Sequence, residues 1–210
     1  MTGKNLINKY FITEMLKKIL ILSLIIFSVT SQALAMEPDV FVQSTVNRAS
    51  KLLSDNLSKE EKIEKLKLIA KDTVDIRGIG FYTLGPIRKT ISDEQKSKYS
   101  ELFEQYFLKS FSSRLAEYTN PEINVTGKEK LNDNYTIVNS TLEGTDDRPE
   151  IKIDWRIYTK IPDKPLIRDL IIEGLSLART QKEEFNSVLQ SNNGDITALF
   201  KTLKEFSQKD

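Results

Sequence analysis

Ile151-Lys152-Ile153-Asp154-Trp155-Arg156-Ile157-Tyr158 alternates large apolar side chains with charged or amphipathic ones along its whole length. Side chains on a strand point by turns to opposite faces. The run therefore predicts a strand with Ile151, Ile153, Trp155 and Ile157 buried and the other face wet. Three neighbouring stretches share its character: Glu122 to Gly127, Tyr135 to Gly144 and Leu166 to Glu173 are rich in Ile, Val, Thr and Tyr. Asn132-Asp133-Asn134 and the run from Gly144 to Pro149 supply hairpin-type connections between them. The expectation is an antiparallel sheet of four strands.

Upstream the period changes from two to between three and four. Pro38 opens a segment with Val40, Phe41, Val46, Ala49, Leu52 and Leu53 on one side, ending near Asp55-Asn56. Ser58-Lys59-Glu60-Glu61 and Ser92-Asp93-Glu94-Gln95 are capping boxes, in which a hydroxyl and an acidic or amide side chain each satisfy an orphan backbone N–H. The first opens a helix carrying Ile63, Leu66, Ile69, Ala70 and Val74. The second opens the longest helix, striped by Tyr99, Leu102, Phe103, Tyr106, Phe107, Phe111, Leu115 and Tyr118. Between them Gly78 to Pro86 is an apolar stretch broken by three glycines and a proline. After the sheet, Thr180-Gln181-Lys182-Glu183 reads as the start of a helix ending at Asn192-Asn193-Gly194, and Asp195 starts a last one. Helices, a meander and helices again make an α+β fold in one domain. Two readings of the aromatic stripe stay open: plain core, or a helix standing off the sheet over an apolar cavity.

The N-terminus has a separate meaning. Lys17 and Lys18 precede the apolar run Ile19 to Val29, which gives way to Ser31-Gln32-Ala33-Leu34-Ala35. A positive start, a short apolar centre and a small-x-small ending predict a signal peptide over 1–35, cleaved after Ala35. The apolar run would rise only ~16 Å as a helix, about half a bilayer core. Met15-Leu16-Lys17-Lys18 is the more ordinary beginning, so Met15 is an alternative initiator. Cleavage takes four lysines and one glutamate and moves the net charge from +1 to −2. Residues 36–210 form the exported domain.

Composition removes many chemistries. The 210 residues hold no His and no Cys, and 31 Lys+Arg balance 30 Asp+Glu. That excludes an imidazole base, a thiolate nucleophile, a disulfide and His or Cys metal ligands, and gives little reason to expect nucleic-acid binding. No S-x-x-K dyad, nucleophile elbow or phosphate-binding glycine loop occurs. Glu143, Asp146, Asp147 and Glu150 crowd one hairpin but lack calcium-loop spacing. Asp169 and Glu173 flank the last strand as an exposed position and a partner for Arg168 or Arg179; an acid pair for hydrolysis is a distant alternative.

Leu84-Gly85-Pro86-Ile87-Arg88-Lys89-Thr90-Ile91-Ser92-Asp93-Glu94-Gln95, followed by the aromatic helix, resembles a segment of the MlaC family, also called the toluene-tolerance auxiliary family. Trp155-Arg156, the block Arg168-Asp169-Leu170-Ile171-Ile172-Glu173-Gly174-Leu175-Ser176-Leu177, Glu184-Phe185 and the closing Gly194 to Leu199 are similar to the rest of its pattern. The chain departs at Ile87, where an aromatic is usual, and in Lys182-Glu183-Glu184-Phe185, where the family's Arg before Glu-Phe is replaced or shifted to Arg179.

The resemblance implies a periplasmic phospholipid carrier that is not an enzyme and has no cofactor, its lipid being cargo held in an apolar cavity between sheet and helices. It implies exchange with an outer-membrane lipoprotein complex and an inner-membrane ABC transporter bearing an MCE-domain ring, which together maintain outer-membrane lipid asymmetry. The helix stripe and sheet positions expected to hold the tails are Phe81, Leu84, Phe103, Phe107, Phe111, Ile137, Ile153, Trp155, Leu170 and Ile172. Arg88, Lys89 and Arg156 are the candidates for head-group or partner contact. The alternative is an exported adaptor of a transporter, with a filled core and no lipid.

Overall fold

The computed structural model describes residues 36–145, 148–161 and 163–209. The expected signal peptide and the residues Asp146 and Asp147 lie outside them. Three helices come first: α1 (Pro38–Ser54), α2 (Lys59–Thr73) and α3 (Ile76–Thr83). A short 3-10 helix (Gly85–Lys89) leads into the long α4 (Asp93–Leu115). Strands β1 (Ile123–Asn132), β2 (Tyr135–Leu142), β3 (Ile151–Tyr158), β4 (Leu166–Ile172) and β5 (Leu175–Ser176) form one antiparallel sheet in chain order. Helices α5 (Leu177–Ser191) and α6 (Ile196–Gln208) close the chain.

Both capping boxes are present, at Ser58 with Glu61 and at Ser92 with Gln95. Three expectations change. The sheet has a fifth strand, because Glu173 and Gly174 both take positive φ (48° and 83°) and fold Leu175–Ser176 straight back onto β4. Helix α5 begins three residues before Thr180, capped by Ser176, whose Oγ accepts from the Arg179 N–H. The glycine-broken stretch is helix α3, capped by Asp75, which accepts from Gly78 N–H at 2.8 Å. Its glycines serve close approach: a Cβ on Gly80 would stand 2.8 Å from Cδ1 of Phe103.

Helices α1, α3 and α5 lie on the sheet, while α4 packs on α2, α3 and α6. At the sheet's outer edge the Gln43 side chain of α1 acts as a strand neighbour. Its amide donates to the Ile123 carbonyl (3.2 Å) and accepts from the Val125 N–H (3.0 Å). At the other side, Asp75 and Arg168 make a half-buried ion pair of 2.5 Å, with the guanidinium carbon 4.4 Å from the centre of the Tyr158 ring.

Candidate functional site

The register of the sheet decides which predicted side chains meet. Ser140, Ile153 and Ile172 lie opposite one another across β2, β3 and β4, as do Val138, Trp155 and Leu170. Paired residues in an antiparallel sheet share a face. Ile153, Trp155, Leu170 and Ile172 therefore project to one side, together with Val138. Ile137 pairs with Arg156, and Arg156 with Asp169, so these three belong to the opposite face. The expected grouping of Ile137 with the others does not form.

The stripe of α4 belongs to the same hydrophobic core as that face. Tyr99, Phe103, Phe107 and Phe111 stack in sequence, with centroid separations of 5.7, 6.1 and 5.6 Å. Phe185 from α5 meets Phe103 edge-on at 6.2 Å. Leu84, Phe103, Ile153 and Trp155 are buried in one cluster with Val138, and Phe81, Phe107, Phe111 and Leu170 pack against it partly accessible. The Trp155 indole N–H donates to Ser140 Oγ at 2.8 Å, and that hydroxyl donates to the Ile153 carbonyl at 3.0 Å, so no polar atom of the tryptophan is left unpaired. Ile172 shares the face but stands half-buried outside this cluster.

The aromatic layer is closed unevenly. Val138, Ile157 and Tyr99 have no accessible surface, yet Phe81, Phe107, Phe111, Ile123, Val125, Leu142, Ile151 and Leu170 touch the same core and keep some. These side chains pack on the core while part of each remains reachable. Two surface depressions, about 520 and 350 Å³, lie along α1 and between α4 and α6, and neither contains a predicted tail residue.

Ionisable groups at the layer are few. Burial pushes the Tyr99 phenol well above the usual tyrosine range, and its hydroxyl is 2.8 Å from that of Thr83. Burial likewise raises Tyr106, which donates to the Gln181 side chain at 2.7 Å. Asp169 is buried rather than exposed. It accepts from Ser176 Oγ at 2.6 Å and from the Ala178 N–H at 3.0 Å, with Nη1 of Arg156 at 3.6 Å. A carboxylate at a helix N-terminus meets donors and a favourable dipole, which is why its burial is tolerated. Glu173 accepts instead from the Lys152 N–H at 2.5 Å. Both carboxylates are held by hydrogen bonds to their own neighbours and not to each other. Among the described residues no group of three or more acidic side chains could hold a metal ion.

The candidate head-group cations divide as well. Arg88 is exposed and donates to the Phe81 carbonyl at 3.0 Å, beside the cluster, with Lys89 next to it. Arg156 stands across the sheet, its Nε buried without a protein partner. Sequence reasoning missed Phe185, whose Glu-Phe position carried family likeness but whose contact with Phe103 needs the α4–α5 arrangement.

These features define an α+β protein, a helical layer over an antiparallel sheet with an aromatic seam between. A family model described as "MlaC protein" matches residues 43–205. The chain belongs to the MlaC family. It is similar in fold to a phospholipid-binding protein from Ralstonia solanacearum, solved in complex with a phospholipid. The TM-score is 0.68 and the identity 19%, over 81% of this chain and 97% of that one. No curated protein matches the sequence.

Proposed function

We propose that the protein is a phospholipid carrier of the periplasm, reached through cleavage of residues 1–35, and that the aromatic seam between α4 and the sheet takes the acyl tails. The observation that carries this reading is the set of apolar side chains that pack on the core and stay partly accessible, Phe107 and Phe111 foremost. Membership of the MlaC family and the phospholipid bound by the similar Ralstonia protein support it.

The physical need is plain. At ~0.8 kcal/mol per methylene, ten on each of two chains represent roughly 16 kcal/mol against exposure to water. Moving tails from a bilayer into an apolar seam exchanges one dry phase for another, so the protein itself supplies no direction. Direction comes from an inner-membrane ABC transporter with an MCE-domain ring and an outer-membrane lipoprotein complex, the two partners of the proposed shuttle. Phe81, Leu84, Phe103, Phe107, Phe111, Ile153, Trp155, Leu170 and Ile172 form the tail site. The head group stays in water near Arg88 and Lys89. Ile137 and Arg156 are left out of the site because they share the opposite face.

The test is native mass spectrometry with lipid extraction on protein purified from a Gram-negative periplasm without detergent. The expected result is a phospholipid adduct. Phe107→Asp, which sets a charge into the seam, is expected to abolish it. Ile137→Asp, on the other face, is expected to keep it. A folded Phe107→Asp chain with full lipid content removes the seam as the site; a wild-type chain without lipid leaves an adaptor.

A further inference from the structure

Most cations near a carboxylate in this molecule are paired, as Lys128 is with Glu37 and Asp39 and Lys59 with Glu117. One corner differs. Where α3 turns into the 3-10 helix, Tyr82 and Pro86 are exposed, Tyr82 at 39%. Lys182 of α5 sits over the Tyr82 ring, Nζ 5.1 Å from its centre, and its stem lies close over Gly85. Arg179 is one turn back on α5, and Arg88 is fixed to the same corner through the Phe81 carbonyl, with Lys89 following it. Among the described residues none of Arg88, Lys89, Arg179 and Lys182 forms an ion pair. Glu183, next to Lys182 in the sequence, forms no ion pair among the described residues either.

Four cations without ion pairs, on the two segments that meet at an exposed tyrosine and proline, suit one kind of surface. An acidic protein patch would satisfy the charges but leave the apolar tip unexplained. The interface of an anionic bilayer takes both, since tyrosine settles at head-group depth and lysine and arginine gather over lipid phosphates. We propose that this corner docks the protein on anionic phospholipid bilayers. The inference rests on the carrier reading for its purpose, because Phe81 and Leu84 of the tail site lie on the same corner and docking would bring the seam to the lipid.

The test is sedimentation of the exported protein with two kinds of vesicle, phosphatidylcholine alone and phosphatidylcholine mixed with phosphatidylglycerol. Binding is expected only to the mixed vesicles, and to fall away between ~0.01 M and ~1 M salt, where screening shortens from about 30 to 3 Å. Arg179→Glu/Lys182→Glu is expected to weaken it at least ~10-fold, each cation near such a surface contributing roughly a factor of five. Its co-purified lipid and melting temperature should match the wild type. Equal binding to both vesicles, no binding by the folded protein, or unchanged binding by the double variant each overturn the docking face. Loss of co-purified lipid with vesicle binding intact overturns it too and assigns these residues to the cargo. A wild-type chain that binds vesicles but carries no lipid fails the carrier reading alone.

Discussion

Tyr99 shows what a single buried polar group costs and gains. Its ring belongs to the aromatic stack and its hydroxyl meets Thr83, 16 residues upstream, in a site closed to water. Burial raises its pKa, so the folded state holds the phenolic proton more tightly than the unfolded state does. The sign follows: stability is whole below the ordinary tyrosine pKa of about 10 and is lost as pH rises beyond it. Urea midpoints measured across that alkaline range are expected to fall in the wild type and to fall less in Tyr99→Phe. Tyr106, raised for the same reason, accounts for part of what remains. Asp169 is the other instructive residue. From the sequence it looked like a strand position facing water; in the fold its oxygens are occupied by the start of α5. The signal was local and present, since a serine seven residues on can cap a helix and donate backward at once.

At the scale of elements, what could be read depended on how local the cause was. The capping boxes at Ser58 and Ser92 lie where they were expected because each is complete within four residues. Helix α3 was hidden because Gly78 and Gly80 lower helix propensity, and beside the helix's own cap Asp75 the groups that crowd the space a side chain would need are distant: Arg168 and the Phe103 ring. Strand β2 misled for another reason. Its inward residues include Thr136 and Ser140 while Tyr135 and Ile137 face outward, so polarity did not report the face. Only the pairing of Val138 with Trp155 settles it, and pairing is not local. The four-strand count failed at β5, two residues long and created by a turn. The β5–α5 junction makes its own prediction. Ser176→Ala removes both the α5 cap and a donor to buried Asp169, and is expected to cost roughly 2 kcal/mol in urea denaturation, more than the ~1 kcal/mol of an isolated cap.

For the whole molecule the governing feature is a helix that touches the sheet through side chains rather than through its own backbone. Helix α4 rests on α2, α3 and α6, and its phenylalanines belong to the same hydrophobic core as Trp155 and Leu170. Such a seam can admit or release apolar chains by ring rotation and small helix shifts without unravelling hydrogen-bonded structure. If the proposed site holds lipid, added phospholipid is expected to raise the melting temperature by mass action, in proportion to the logarithm of lipid over its dissociation constant.

The amide of Gln43 has a consequence for how the protein lives among its own copies. A ten-residue border strand with open carbonyls and N–H groups is an invitation to another border strand. By occupying Ile123 and Val125, one glutamine side chain makes that border a poor template, and the lysines at 128 and 130 discourage approach further along. Gln43→Leu is expected to leave the fold intact and to turn a monodisperse light-scattering profile into one that grows with concentration. At this border the barrier to pairing with another copy is kept by a single amide.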